Sequence, residues 1–391
     1  MNEEQHSFYI DAYRHIYDDM LSECYREDGA SDKCIAIIDA DLIGRKRHRF
    51  PNLVCLKLSG YWKEKGADVI LKTDYEDLDI YDKVYISKVF TDTPIDENIL
   101  TLPNVEYGGT GFFYDKAPNL PYEIEHHMPD YHLYDVWVKE QIEAGGKRIE
   151  FKGYLDYSIG YITRGCFRKC EFCVNKKYDK AFLASHLEEF LDPSRPKICL
   201  LDDNFLSHPK WKDLLRGLMD TGKPFKFKQG LDERLLTDEK VEMLCHAKYD
   251  GQIIFAFDSV KDYDLIETQL KRIRKYTDKI FTFYVLVGFE SQDVRDIENA
   301  FIRICLLMKY RCLPYIMRYE KYKESPYRGI YVTLARWCNQ PSMFKKTSLR
   351  QYADADLRCG QKSTQRYITE FEKDHPEIAA RYFDMKWGDT E

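Results

Sequence analysis

The sequence predicts an α/β protein in which an N-terminal doubly wound, Rossmann-like domain is followed by a partial (βα)6 barrel of the TIM type. The first observation is a series of short apolar runs that end in polar residues and alternate with helical segments, as buried parallel strands do. The second is a regular rhythm after residue 157, where predicted strands start 27 to 39 residues apart, about one βα unit. The 391 residues, 44% of them hydrophobic, are enough for two such domains.

The N-terminal part supplies the first sheet. Residues 1–32 carry apolar side chains at three- and four-residue steps and predict an amphipathic helix. Four strands are predicted, at 34–41, 68–74, 83–87 and 104–109. A helix at 51–65 separates the first two. Such sheets bind ligands beyond the carboxyl ends of their strands, which here would present Asp39, Asp41, Ser87 and the turn 108–111. The basic loop 45–49 either holds a phosphate or is simply solvated.

The domain limits follow from changes in composition. The Rossmann-like domain is predicted to span 33–115, and the segment 116–157 is rich in Pro, Tyr and His and predicts a linker. Its histidines, His126, His127 and His132, are either metal ligands or surface residues. The barrel is predicted to span 158–320, with 321–391 as a C-terminal extension. Its six strands are expected at 158–163, 197–202, 225–229, 252–258, 281–288 and 313–319.

Composition bounds the location of the protein. No apolar run approaches the roughly 20 residues that a membrane span needs. The first residues also lack the basic-then-apolar layout of a signal peptide. Twelve cysteines, mostly scattered, fit a reducing compartment, so we expect a cytoplasmic protein without membrane contact. The net charge of -7 does not by itself indicate a partner.

Three cysteines dominate the centre of the chain. Cys166, Cys170 and Cys173 follow one another with the spacing C-x3-C-x2-C, and Gly165 allows the backbone to turn just before them. The spacing is too irregular for one helical face, so it predicts a loop wrapped around a metal centre. Three thiolates would leave one iron of a four-iron four-sulfur cluster open. A zinc site completed from elsewhere, or a disulfide with a spare thiol, are the alternatives.

The motif resembles the signature of the radical S-adenosylmethionine superfamily, including the aromatic Phe172 before the third cysteine. The resemblance implies a 4Fe-4S cluster whose open iron binds S-adenosylmethionine. It also implies an electron donor such as flavodoxin or ferredoxin. Reductive cleavage of the cofactor would then give a 5'-deoxyadenosyl radical that acts on a substrate.

Further residues resemble cofactor-binding positions of that family. Asp203 and Asn204 stand in an Asp-Asp-Asn-Phe sequence after the second barrel strand, where they would bind the cofactor ammonium unless they cap a helix. After the third strand, Gln229 would point into the barrel mouth and Arg234 could meet the cofactor carboxylate. The alternative for both is an ordinary surface or ion-pair role.

The fourth and fifth strands extend the resemblance. Asp258 and Ser259 end a strand that is similar to the one binding the ribose hydroxyls, although the family has Glu in place of Asp258. Gly288 ends a strand that would lie against the adenine, where a side chain would block close approach. No substrate and no catalytic residue beyond these positions is indicated.

The N-terminal domain resembles the cobalamin-binding-like domain that precedes many radical S-adenosylmethionine barrels. The cobalt-ligating Asp-x-His-x-x-Gly box is absent, which disfavours cobalamin and a cobalamin-dependent methyltransferase. A methylthiotransferase would need a second cluster, and Cys24, Cys34 and Cys55 do not form its pattern. The alternative to an enzyme is a non-catalytic iron-sulfur protein that binds nucleic acid. Cys305, Cys312, Cys338 and Cys359 are too widely spaced to indicate an auxiliary cluster.

The last barrel strand begins a strongly basic stretch. Residues 303–350 contain eleven Lys or Arg against two acids, with tyrosines interleaved. This mixture fits a single-stranded or looped nucleic acid as substrate, because cations follow phosphates and aromatic faces stack on bases. The alternative is pairing of these cations with the acidic residues 1–34, and a peptide or small metabolite would then be the substrate.

Overall fold

The computed structural model describes residues 33–360 and 362–388. The chain divides into two compact units. The first contains the residues up to Asp179 together with Leu183–Cys199, and the second contains Lys180–Phe182 and the residues from Leu200 onwards. The amphipathic helix predicted for 1–32 lies outside the described residues.

A four-stranded parallel sheet forms the core of the first unit. Its strands are β1 Cys34–Asp39, β2 Asp68–Lys72, β3 Lys83–Ser87 and β4 Val105–Gly108, in the order β2-β1-β3-β4. This order, with the first strand inside the sheet, is the doubly wound arrangement. All four predicted strands are therefore confirmed. The first ends two residues early, because the Asp39 side chain accepts the backbone N–H groups of Asp41 and Leu42 and begins helix Ala40–Gly44.

Burial on both faces explains why β1 is continuously apolar. Every residue from Ile35 to Asp39 is buried. Ala36 and Ile38 pack with Val84 and Ile86 on one side of the sheet. Helix Leu53–Glu64 begins at Asn52, whose side chain accepts the backbone N–H of Val54 at 3.0 Å. The predicted helix at 51–65 is thus confirmed within two residues.

The predicted linker 116–157 contains ordered structure of its own. Tyr131 is buried, and its hydroxyl donates to the Phe190 carbonyl and accepts the backbone N–H of Ile159, both at 2.7 Å. Tyr134 is also buried. The helices of this region are Tyr122–Glu125, Asp135–Glu143 and Lys152–Leu155, and helix Thr110–Phe113 precedes it. Pro118, Pro121 and Pro129 favoured an irregular segment, but no proline follows them before the helices Asp135–Glu143 and Lys152–Leu155.

The strands predicted for a barrel are all present, though shorter. The strands that follow in the chain are β5 Tyr157–Gly160, β6 Thr163–Arg164, β7 Phe182–Leu183, β8 Lys197–Leu200, β9 Phe225–Phe227, β10 Ile254–Ala256, β11 Thr282–Val287 and β12 Leu313–Arg318. In the second unit β10, β11 and β12 form a parallel sheet in that order. Helices Trp211–Asp220, Asp238–His246, Tyr263–Arg274 and Val294–Lys309 separate the strands of this unit. The predicted mixed α/β architecture with parallel sheets is confirmed, and closure into a partial barrel stays a prediction.

Hydrogen bonds outside the regular ladder join β9 to β10. The backbone N–H of Leu231 donates to the Ile254 carbonyl at 2.8 Å, and that of Ala256 donates to the Glu233 carboxylate at 3.1 Å. A side chain thus takes the place of a backbone carbonyl in the parallel pairing. β10 is three residues long and pairs with β11 over those residues, although its sequence predicts seven.

The C-terminal extension is helical throughout its described residues. Its helices are Arg328–Cys338, Pro341–Phe344, Leu349–Arg358, Lys362–Asp374 and Pro376–Tyr382. Trp337 and Phe344 are fully buried and their rings lie 4.8 Å apart. This segment is therefore part of the packed body of the second unit.

None of the helices in the described residues is both long and apolar enough to span a bilayer.

Candidate metal centre and cofactor-binding residues

The three motif cysteines lie in one irregular loop of the first unit. Cys166, Cys170 and Cys173 are half-buried, and within the described residues none of them forms a disulfide. Gly165 and Lys169 adopt positive φ angles of 91° and 39°, which turn the backbone between the cysteines. The predicted loop is therefore present, and the disulfide alternative is not supported.

Backbone amides donate to two of the three sulfurs. The N–H of Arg168 donates to Cys166 Sγ, and the N–H of Asn175 donates to Cys173 Sγ, both at 3.4 Å. The N–H of Cys173 donates to the Cys170 carbonyl at 3.0 Å. Amide donors of this kind stabilise a thiolate and fix the direction of its lone pairs, which is what the sulfurs around an iron-sulfur cluster require.

The loop is not a preformed coordination shell. Across residues 33–360 and 362–388, no three His, Cys, Asp or Glu side chains are gathered closely enough to hold a metal ion. The donor chemistry of the loop fits a cluster, since it combines three half-buried thiols with amides directed at two of them. The assignment of these cysteines as ligands stays a prediction.

The histidines of the predicted linker do not converge. His126 bonds Glu189 at 2.6 Å and His127 bonds Glu64 at 2.7 Å. His132 bonds Asp135 at 2.7 Å. Each ring therefore has its own carboxylate partner, which favours the surface role over the metal-ligand role.

Asn204 is held by a carboxylate of the next strand end. It is buried, whereas the neighbouring Asp203 is half-buried. Its side-chain Nδ2 donates to Asp232 Oδ2 at 3.2 Å. Asn204 precedes the 3-10 turn Phe205–Ser207, but its side chain does not cap that turn. The helix-cap alternative therefore does not apply to this residue.

Arg234 is an ion-pair residue in the structure. Its Nε donates to Asp232 Oδ1 at 2.8 Å, and its Nη1 lies 3.3 Å from Asp262 Oδ2. These carboxylates outweigh partial burial and raise the pKa of the guanidinium. Gln229 is exposed, two residues beyond the end of β9. Asn204, Asp232, Arg234 and Asp262 thus form one connected polar chain that does not include Gln229.

Glu233 is a buried carboxyl group that the sequence reasoning passed over. It is 1% exposed, and burial raises its pKa from the ordinary 4.5 to about 8. Its carboxylate accepts the backbone N–H of Ala256. The sequence feature that could have pointed to Glu233 is its position between Gln229 and Arg234, shortly after an apolar strand.

Replacing Glu233 by Gln should flatten the pH dependence of stability. A raised pKa means that the folded state holds the proton more tightly, so the contribution of this carboxyl group is complete below pH 4.5 and is lost as the pH rises to about 8. The loss amounts to roughly 1.4 kcal/mol per pKa unit at most. We expect Glu233→Gln to gain stability relative to the wild type between pH 5 and pH 8, measured by urea unfolding. Glu242→Gln, at an exposed position, is the control, and the same pH dependence in all three proteins would contradict the assignment.

Asp258 and Ser259 follow β10 directly. Burial raises the pKa of Asp258 to about 6, although the cations of Arg303 and Arg234 act in the opposite direction. The Ser259 hydroxyl donates to Glu290 Oε1 at 2.7 Å. The two predicted ribose-binding residues are therefore adjacent at a strand end, and Ser259 already has a carboxylate partner.

Position 288 requires glycine because of its backbone conformation and a close neighbouring residue. Its φ is +75°, and its backbone N–H donates to Asp296 Oδ2 at 2.7 Å. A Cβ added there would lie 3.0 Å from Tyr322 Cβ and 3.3 Å from Tyr322 Cα. Both the backbone conformation and the contact with Tyr322 thus demand glycine at the end of β11.

Arg303 is a second residue that the sequence reasoning misjudged. It was counted among the basic residues of 303–350, but it is 2% exposed. Its Nη1 donates to the carbonyls of Phe257, Asp258 and Leu286 at 2.8 to 3.0 Å. The guanidinium therefore ties the ends of β10 and β11 together. The sequence feature that indicates burial of Arg303 is its position on the apolar face of an amphipathic helix.

The carboxyl edge of the first sheet is occupied by protein groups. Asp39 accepts the Tyr134 hydroxyl at 2.9 Å, and its burial raises its pKa to about 7. Asp41 accepts the Thr93 hydroxyl and the backbone N–H of Val89 at 2.7 Å. The stretch from Asp39 to Gly44 reads Asp-x-Asp-x-x-Gly, so Asp41 stands where the cobalamin box has His. Its carboxylate is committed to these donors and does not fit a cobalt ligand.

Among the described residues, the cysteines outside the motif gather into no metal-holding group. Burial raises the pKa of Cys305 to about 12 and that of Cys312 to about 11, so both are neutral thiols. Cys338 is fully buried, whereas Cys359 is exposed. In the first unit, Cys55 is buried and donates to the Ile38 carbonyl at 3.8 Å. Cys24 lies outside the described residues.

The chain is similar in structure to a known enzyme, although its sequence matches no family. The sequence matches no protein-family model and no curated protein. Among solved structures, the chain is similar to the apo, selenomethionine-labelled form of the cobalamin-dependent S-adenosylmethionine radical enzyme OxsB, with 14% sequence identity and a TM-score of 0.36. The match covers 74% of this chain and 49% of that one. This chain thus spans about half the length of that enzyme, and a similarity of this size assigns it no activity.

Proposed function

We propose that this protein is a radical S-adenosylmethionine enzyme that acts on an unidentified substrate. The observation that carries the proposal is the loop of Cys166, Cys170 and Cys173, with three half-buried thiols in eight residues and backbone amides donating to two of them. Three ligands suit a four-iron cluster with one open iron, whereas structural clusters take four thiolates. The zinc alternative lacks support, because each of the three linker histidines bonds a carboxylate of its own.

The cysteines would hold the cluster and the loop would shield it. A 4Fe-4S cluster with bound S-adenosylmethionine supplies one-electron cleavage to methionine and a 5'-deoxyadenosyl radical, using an electron from a donor such as flavodoxin or ferredoxin. The N–H groups of Arg168 and Asn175 would keep two of the sulfurs oriented toward the cluster. Phe172, half-buried beside Cys173, would limit access of water to the loop.

Residues that follow the strands after the cysteine loop would bind the adenosyl and methionyl parts of the cofactor. Asp203 and Asn204 would accept the ammonium group, and the bond to Asp232 would position the Asn204 amide. Asp258 and Ser259 would meet the ribose hydroxyls, and Gly288 would let backbone approach the adenine. Asp203 and Asn204 follow β8, whereas Asp258, Ser259 and Gly288 follow β10 and β11 of the parallel sheet, and ligands of a partial barrel bind at such strand ends. Arg234 already pairs with two carboxylates, so we assign it to holding Asp232.

Cobalamin has no part in this proposal. The Asp41 carboxylate accepts hydrogen bonds from the Thr93 hydroxyl and the Val89 N–H. It is therefore not assigned as a cobalt ligand. A methylthiotransferase is not favoured either, since Cys34 begins β1 and Cys55 is buried under the sheet. No observation favours a second candidate function.

Anaerobic reconstitution of the full chain tests the proposal. We expect about four irons per chain. After reduction and addition of S-adenosylmethionine, we expect slow release of 5'-deoxyadenosine, measured by chromatography, even without substrate. Protein that has not been reconstituted serves as the control. A four-iron protein that releases none after reduction would overturn the proposal, and clearly more than four irons would overturn the single-cluster assignment.

A further inference from the structure

Strand β2 forms an exposed edge of the first sheet. It lies at one end of the order β2-β1-β3-β4, and no strand of the described residues pairs with its outer side. None of the five residues of β2 is buried, whereas β4 at the opposite edge buries Val105 and Glu106. Ile70, in the middle of β2, is 39% exposed. An exposed edge strand with an apolar centre is a template for pairing with another chain.

The backbone of β2 presents hydrogen-bonding groups on its outer side. The N–H of Asp68 donates to the Lys33 carbonyl at 2.9 Å, in the parallel register that joins β2 to β1. Because backbone groups alternate in direction along a strand, those of Ile70 also face β1, while those of Val69 and Leu71 face outward. Val69 and Leu71 thus supply two donors and two acceptors at the edge of the sheet.

The sequence of β2 is complementary to a second copy of itself. Asp68, Ile70 and Lys72 lie on one face, because side chains alternate along a strand. In an antiparallel pair about a two-fold axis at Ile70, Val69 of each copy lies opposite Leu71 of the other and exchanges two backbone hydrogen bonds with it. Asp68 of each copy then lies opposite Lys72 of the other, in the closer, non-hydrogen-bonded kind of pair. Opposite charges in such pairs are stabilising.

The charges of β2 favour this partner over other strands. Charged residues on an edge strand normally discourage pairing with another chain. A second copy meets Asp68 with a lysine and Lys72 with an aspartate, in a register that uses all five residues of the strand. Lys72 also lies 2.6 Å from the half-exposed Asp74 of its own chain. Since an ammonium group has three donors, Lys72 can bond both carboxylates.

We propose that the chain forms a two-fold symmetric dimer in which the β2 strands of two copies pair antiparallel, with Asp68 opposite Lys72. The two four-stranded sheets would then join into one continuous sheet. A single pair of five-residue strands buries little surface, so the dimer would be weak and its population would depend on protein concentration. The dimer does not depend on the proposed function, because β2 contains none of the cluster or cofactor residues.

Sedimentation velocity of the full chain under reducing conditions, without reconstitution, measures this association. Protein concentrations of about 1 to 200 μM cover the affinities of weak pairs. We expect a monomer–dimer equilibrium in which the dimer fraction rises with concentration. Ile70→Lys places two lysines opposite each other at the two-fold axis, so it should weaken dimerisation about tenfold or more. A wild-type chain that stays monomeric at every concentration would overturn the proposal.

Exchange of the two charges tests the strand and its register. Asp68→Lys and Lys72→Asp each create two like-charge pairs by symmetry, so each should weaken the dimer about tenfold or more. The double variant restores an aspartate opposite each lysine and should dimerise like the wild type. An equimolar mixture of the two single variants should form mixed dimers, detected by a fluorescent label on one of them.

The matched control carries Asp220→Lys or Lys275→Asp, at exposed positions of the second unit. These changes should leave dimerisation unchanged, and melting temperatures verify that every variant is folded. Three results would contradict the proposed pairing: dimers that survive both single changes in β2, a double variant that stays dissociated, or equal weakening by the control.

Discussion

A chain in which Cys166, Cys170 and Cys173 are all replaced by alanine should release more than about 100-fold less 5'-deoxyadenosine than the wild type after reconstitution. Residues that merely support a metal ligand typically contribute 10- to 100-fold to affinity or activity, so loss of the ligands themselves should exceed that range. Iron retained after desalting should fall in parallel, from about four per chain to the background of adventitious binding. The two readouts are product by chromatography and iron by colorimetric assay on the same sample.

The matched control replaces three cysteines outside the motif. Cys245, Cys305 and Cys359 are half-buried or exposed, and they lie far apart in the sequence. Their replacement by alanine should leave iron content and product unchanged. Full activity in the motif variant would remove the basis of the proposed function. Equal loss in both variants, with unchanged melting temperatures, would show that the motif has no special role.

The strands were predictable because burial on both faces leaves a local mark. β1 is apolar from Cys34 to Ile38, and Ile35 to Asp39 are all buried. The ends of the strands were less predictable. They depend on whether a backbone carbonyl or a side chain accepts the backbone N–H groups that follow the strand. Asp39 begins a helix with its side chain, and Glu233 replaces a carbonyl in the pairing with β10. Neither choice is visible in the periodicity of the segment itself.

The part of the candidate site whose residues lie close together in the sequence was predictable. Three cysteines in eight residues define a ligand loop without any knowledge of the fold. The polar chain from Asn204 to Asp262 joins three separate strand ends, so its partners depend on the folded arrangement. Charge alone misled the interpretation of 303–350, because Arg303 is buried and Arg318 is exposed although both are cations of one basic stretch.

Replacing Arg303 by Met should destabilise the protein by about 3 to 5 kcal/mol, the usual cost of removing one member of a buried charged group. The change leaves the carbonyls of Phe257, Asp258 and Leu286 without their donor in a site closed to water. It also removes a positive charge that favours the ionised form of Asp258. Burial of the charged guanidinium is itself unfavourable and lowers the pKa of Arg303. Removing this charge offsets part of the lost stability, so the destabilisation is smaller than the summed free energies of the three hydrogen bonds.

The measurement is the melting temperature of the full chain, which should fall by about 10 °C for a loss of this size in a unit of this length. Arg295→Met is the matched control, because Arg295 lies on the same helix, has a side chain 79% exposed and pairs only with the nearby Asp293 in the described residues. Removal of an exposed ion pair should cost less than about 1 kcal/mol. If the two variants melt within about 2 °C of each other, Arg303 does not join β10 to β11 in the way its hydrogen bonds indicate. If only Arg303→Met melts early, the strand ends that carry Asp258, Ser259 and Gly288 depend on this one guanidinium for their alignment.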